Sequence, residues 1–197
     1  MSILRRHFLA AALAAAVLAG CASGPGKSPS AAERRDGLRA MRDAALTDFY
    51  ATKPEIKGEV EKAVGYAVFD ASQVNLLLYL GSTGAGVMVD NANGRETYVK
   101  MARAGTGPGV GYKSYRQLIV FKDRTLFDTF RTAGADVGAS ADATFKTAGS
   151  SKGVALDGSV SFNPLMSVYQ ITDRGAMLQA NWGGVAYLPD EELNALK

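Results

Sequence analysis

The chain has 197 residues, with 22 basic and 19 acidic side chains, 22 glycines, one histidine and one cysteine. Zinc, haem and iron–sulfur sites therefore lack their usual ligands, and Ser-His-Asp or Cys-His nucleophilic sites lack a base, because His7 sits in the N-terminal leader and Cys21 just after it. Carboxylate chemistry, lysine chemistry and binding without chemistry stay open, and no cofactor is implied.

Arg5 and Arg6 form a short basic segment, followed by the uncharged apolar run FLAAALAAAVLAG. That run is too short to cross a bilayer as a stable helix and suits the apolar region of a secretory signal. It ends in Leu18-Ala19-Gly20-Cys21, which reads as a bacterial lipobox, with residues 1–20 the signal peptide and Cys21 the acylated anchor. Cleavage there removes two arginines and leaves 20 basic against 19 acidic residues, so the basic pI carries no argument for nucleic acid. CASGPGKSPS, residues 21–30, is small and polar and reads as a flexible tether. Residues 31–197 are then a single domain, large enough to fold around a core without a disulfide.

Ser30 with Glu33 gives the spacing of a capping box, and Leu38, Met41, Ala45 and Phe49 follow at helical spacing to about residue 51. Pro54 opens a second helix that runs through Ala63. From Gly65 the period changes to two: GYAVF, NLLLYL and AGVMV read as strands, and Asn93-Gly94 as a hairpin turn into RETYVKMA. YRQLIVF is a further strand, and DRTLFDTFRTA a short helix burying Leu126, Phe127 and Phe130. Residues 135–145 and 154–162 alternate small or apolar with polar residues. MSVYQIT and AMLQANWGGVAYL are expected to pair across a turn at Asp173-Arg174-Gly175, and Pro189 begins a last helix. The pattern is α+β: a curved, glycine-rich, mainly antiparallel sheet with N-terminal helices and short peripheral helices. Helices between the strands and at the C-terminus argue against an outer-membrane barrel.

GPGVGYKS, residues 107–114, matches the phosphate-binding P-loop at Gly107, Lys113 and Ser114, but Tyr112 stands where the second glycine belongs. A tyrosine there obstructs the approach of backbone to phosphate, and the strand-like sequence that follows puts no helix N-terminus behind the anion. No nucleotide is expected.

KAVGYAVF at 62–69, GTGPGVGYKSYRQLIVF at 105–121, LFDTF, and GADVGASADATF at 134–145 occur in an order and spacing that resembles the SYLF domain. The likeness runs from about residue 53 to 188. Members of that family bind lipid and, in yeast, regulate actin. The resemblance implies a non-catalytic domain whose ligands are anionic phospholipids or phosphoinositides.

Two basic sets are candidates for such contact. Arg35, Arg39 and Arg42 recur beside the apolar stripe of the first helix, as interfacial helices use them. Glu33, Asp36 and Asp43 dilute that charge, and a solvated helix face is the plainer reading. Lys100, Arg103, Lys113 and Arg116 flank the glycine-rich stretch, whose backbone could cradle a phosphate or simply bend. Asp136, Asp142 and Asp157 fall on polar faces, which favours solvation over a catalytic carboxylate pair. The expected protein is a lipid-anchored envelope protein that binds anionic membrane phospholipid; a scaffolding lipoprotein with an envelope protein partner is the alternative. Ala22 follows the cysteine where Asp would retain a lipoprotein at the inner membrane, so outer-membrane anchoring is expected, with the domain in the periplasm or at the cell surface. Cys21→Ser should abolish palmitate labelling and leave the protein unprocessed or released; a Cys21→Ser chain that still carried labelled palmitate would contradict the anchor.

Overall fold

The computed structural model describes residues 28–132, 135–145, 156–157 and 164–195. The leader, Cys21 and most of the tether lie outside them, as does most of the alternating segment 154–162. Residues Ala31–Lys197 form one compact unit. Helices α1 (Ala31–Thr52) and α2 (Glu55–Lys62) precede the long strands β1 (Gly65–Asp90) and β2 (Glu96–Phe121). Helix α3 (Arg124–Thr132), strands β3 (Ala135–Phe145), β4 (Leu156–Asp157) and β5 (Met166–Pro189), and helix α4 (Glu191–Ala195) follow. The class is α+β. The strands form one five-stranded sheet in the order β1-β2-β5-β3, with β4 also on β5, and every pair is antiparallel.

The strands are fewer and longer than the sequence period suggests. GYAVF, NLLLYL and AGVMV are one strand, and RETYVKMA and YRQLIVF are another. The expected turn at Asp173-Arg174-Gly175 is absent: β5 runs straight through it and pairs with β2 along its length. The register steps there, Ser114 facing Arg174 while Tyr115 faces Thr172, so Asp173 is the extra residue of a β-bulge. A 26-residue partner strand supplies a continuous ladder, and pairing on it satisfies more backbone groups than a local hairpin would. The Asn93-Gly94 turn forms, with Gly94 at φ 69° and its N–H donating to the Asp90 carbonyl at 2.7 Å.

Near its middle, the β1–β2 ribbon changes direction. Leu77 faces Gly109 and Tyr79 faces Thr106, so one residue of β1 opposes Gly107 and Pro108 of β2. Gly107 has φ 152°, a conformation open to glycine, and Pro108 has no N–H to pair. Beyond this bend β1 meets its own first half. A Cβ on Gly84 would lie 2.6 Å from the Asp70 carbonyl oxygen, and one on Gly86 would lie 2.3 Å from that of Val68. Hydrogen bonds link the two halves as well: Tyr115 and Ser82 hydroxyls lie 3.1 Å apart, and the Tyr187 hydroxyl donates to Gln117 Oε1 at 2.9 Å.

Between the halves lies an apolar core that includes Phe69, Met88, Val99, Ile119, Phe121 and Tyr187. Helix α3 adds Phe127 and Phe130, both against Phe121 with ring centroids 5.4 and 5.0 Å away. The rings are fully buried, each contributing about 1.5–3 kcal/mol of transfer free energy. Leu126, expected on the same face, is half-buried. Outside the first half, α1 and α2 cover Val68, Leu118 and Val120 with Ala45, Phe49, Ile56 and Val60. Outside the second half, Leu193 of α4 and Leu38 of α1 pack against Val87, Val89 and Tyr98.

Charged pairs fasten the helices at these edges. Arg124 of α3 donates two hydrogen bonds to Asp90, at 2.9 and 2.8 Å. Glu96 accepts from Arg39 and Arg42 of α1, each at 2.7 Å, and Glu59 of α2 accepts from Ser167 and Tyr169 of β5. Arg124 holds the Asp90 carboxyl below its ordinary range. Burial would raise Glu96 and Glu59, but the donors around them outweigh it and both lie low. Burial, and then the bond to Glu59, push Tyr169 up to about 12. Asn194 extends the sheet edge: it accepts from the Tyr98 N–H at 2.9 Å and donates to the Tyr98 carbonyl at 2.7 Å.

Two predictions follow from these contacts. Gly86→Ala pushes a methyl into backbone and should cost about 1–3 kcal/mol or more, seen as a lower melting temperature. Gly37→Ala, on an open face of α1 with nothing within 4 Å, should instead add about 0.5–1 kcal/mol of stability and raise the melting temperature. Because Asp90, Glu96 and Glu59 titrate lower in the folded than in the unfolded chain, their contribution is present above the unfolded carboxylate pKa of about 4. It is lost as pH falls through the folded values. Denaturation measured against pH should show stability dropping below about pH 4.5, with a shallower slope in Asp90→Asn.

Candidate functional site

The basic residues singled out in the sequence do not share one surface. Arg35 and Arg39 line a cleft of about 450 Å³ beside the β1–β2 turn, joined by Arg95 of the turn and Arg131 of α3. Within it Arg39 is held by Glu96 and by Asp36 at 3.1 Å; Arg42, outside the cleft, is held by Glu96 and Asp43. Lys100 pairs with Asp190 at 3.2 Å, a carboxylate it shares with Arg34. Arg116 is clamped between Asp48 of α1, at 2.8 Å, and Asp173 of the β5 bulge. Arg103 and Lys113 turn inward and are only 8% and 6% exposed. Lys113 lies over the Tyr115 ring, its nitrogen 5.0 Å from the centroid.

A different set of residues gathers at the bend. Leu76, Leu77, Leu78 and Tyr79 are exposed by 65, 73, 61 and 81%. Val110, across from Leu76, and Tyr112, across from Val74, are exposed beside them. Leu77 has φ 60°, a left-handed conformation costly for a branched side chain. Helices cover the outer face of both halves of the sheet farther from the bend, but none of the helix residues of those clusters packs against Val74, Leu76, Val110 or Tyr112.

Polarity reverses across the sheet at this point. Away from the bend the inner positions of β1 are Ala67, Phe69 and Ala71. Closer to it they become Gln73 and Asn75, both fully buried, with Ser82 and Arg103 opposite and Lys113 paired to Gln73. The outer positions become apolar and bare. The bend half therefore buries polar side chains, beside Leu80, and exposes apolar ones, whereas the half that holds the core buries apolar ones. No residue is charged from Ala71 to Val89, from Ala104 to Tyr112, or from Gly175 to Pro189, which are the segments of β1, β2 and β5 that meet here.

Sequence reasoning identified NLLLYL as a strand and missed that it is exposed. The available signal was five consecutive large apolar residues, Leu76 to Leu80, where a half-buried strand should alternate. The arginines that join Arg35 and Arg39, Arg95 and Arg131, come from elements distant in sequence and carried no local signal.

No family model matches the chain. It is 36% identical over 164 residues, 83% of its length, to the protein named Beta cell expansion factor A of Aeromonas veronii, and it spans about 60% of that protein's length.

Proposed function

We propose that this is a SYLF-type, lipid-anchored envelope protein that binds phospholipid membranes, preferring anionic ones, and catalyses no reaction. The curved, glycine-rich sheet is the binding element in this reading. One observation carries it: the bend half of the sheet buries polar side chains and exposes apolar ones, an arrangement matched to a lipid–water boundary rather than to water. Exposed apolar surface of this kind is costly in water.

Arg103 and Lys113 supply the preference for anionic lipid. They stand just behind the bend and lend it a positive field. Arg35, Arg39 and Arg42 lie at the other end of the strands, and Glu96 engages two of them. Lys100 and Arg116 are likewise engaged by carboxylates. The acyl chain on Cys21 holds the domain at the outer membrane, with ten residues of tether to let it reach the bilayer surface.

The test is co-sedimentation of residues 31–197 with vesicles. This unit contains every residue of its three buried clusters, so it folds without the leader and tether. Binding should be stronger to vesicles containing phosphatidylglycerol than to pure phosphatidylcholine, and the difference should shrink at high salt. No sedimentation with either vesicle at low salt would refute the reading.

A further inference from the structure

We infer that Leu76, Leu77, Leu78 and Tyr79 form a wedge that enters the hydrocarbon of the bilayer, so that part of the membrane affinity is independent of headgroup charge. This deepens the membrane reading above and rests on it. The residues are exposed consecutively. The left-handed backbone of Leu77 and the register step between Leu77 and Tyr79 break the alternation of the strand, and the four side chains are exposed together. A fluid hydrocarbon takes up all four at once without a shape-matched partner.

The surroundings fit the same occupant. β1, β2 and β5 carry no charged residue through the bend, and the nearest charge in the adjoining strand is Asp142 of β3, in register with Asn181. Tyr79 and Tyr112 carry hydroxyls on apolar rings, the combination that settles at the interface between headgroups and acyl chains. The wedge is also held in place. Leu77 keeps a left-handed backbone that glycine would adopt at no cost, and the ladder to β2 resumes on both sides of it. The leucines are thus presented by the sheet rather than by a loose loop, which lowers the ordering cost of insertion.

Residues 31–197 contain no cysteine, so Leu78→Cys gives a single site for a polarity-sensitive fluorophore, and Gly37→Cys on α1 gives the control. With neutral phosphatidylcholine vesicles the probe at 78 should shift to the blue and be quenched by bromine on the acyl chains, while the probe at 37 should not change. The paired variant Leu76→Ser with Leu78→Ser should lose more than tenfold in affinity for neutral vesicles. Its melting temperature should be unchanged, because both side chains are already exposed. Binding to anionic vesicles alone, with no blue shift at 78 and no effect of the serine pair, would overturn the wedge and leave the phospholipid reading standing. Absence of binding to every vesicle would overturn both. Self-association in buffer that the serine pair abolishes, without vesicle binding, would assign the leucines to a second copy and also overturn the wedge.

Discussion

The structure depends on β1 packing against itself. Residues 14 to 18 positions apart in one strand, Val68 and Asp70 against Gly84 and Gly86, come within backbone contact, and any side chain at those two glycines would hold them apart. That approach sets the separation of the two halves of the sheet. The space it leaves is filled by Phe69, Phe121, Phe127, Phe130 and Tyr187, whose rings meet in tilted and edge-on pairs at 5.0 to 5.4 Å. The bend at Leu77 to Tyr79 is the other requirement, because an unbroken extended strand cannot return on itself. Gly107, Pro108 and the register step supply it.

The same geometry separates two kinds of surface. Near the β1–β2 turn the sheet has helices outside and aromatic rings inside, the usual arrangement for a core in water. Toward the bend the helices no longer cover it, the interior fills with Gln73, Asn75, Ser82, Arg103 and Lys113, and the outside is Leu, Val and Tyr. A fold selected only for stability in water gains nothing from exposing four consecutive large apolar side chains. Those features make sense together if the bend half has a different solvent from the rest of the molecule.

Much of the helical framework was legible in the sequence. The 3.6-residue spacing of Ala45 and Phe49 marked the buried face of α1, and Phe127 and Phe130 that of α3. The length of the strands was not legible, because Gly81, Gly84 and Gly86 and the run from Gly105 to Gly111 look like turn punctuation. In the fold Gly84 and Gly86 permit close approach and Gly107 a bend, all within continuous ladders. Asp173-Arg174-Gly175 misled for a related reason: turn-forming residues also suit a bulge. The fate of the cations was hidden because their partners are distant in sequence, Asp48 for Arg116 and Glu96 for Arg42. A charge that looks free in a sequence is often already committed to a carboxylate that only the fold brings near.

The central claim is that the bend meets lipid. Trp182, the sole tryptophan, pairs in register with Thr106, which pairs with Tyr79 across the ribbon. Its emission therefore reports on the bend without any change to the chain. Quenching by phospholipids brominated at defined acyl positions measures its depth directly. The account predicts that bromine on the acyl chains quenches this emission and that the quenching persists at high salt. Emission unaffected by bromine at every position, in a sample shown to be vesicle-bound, would contradict it.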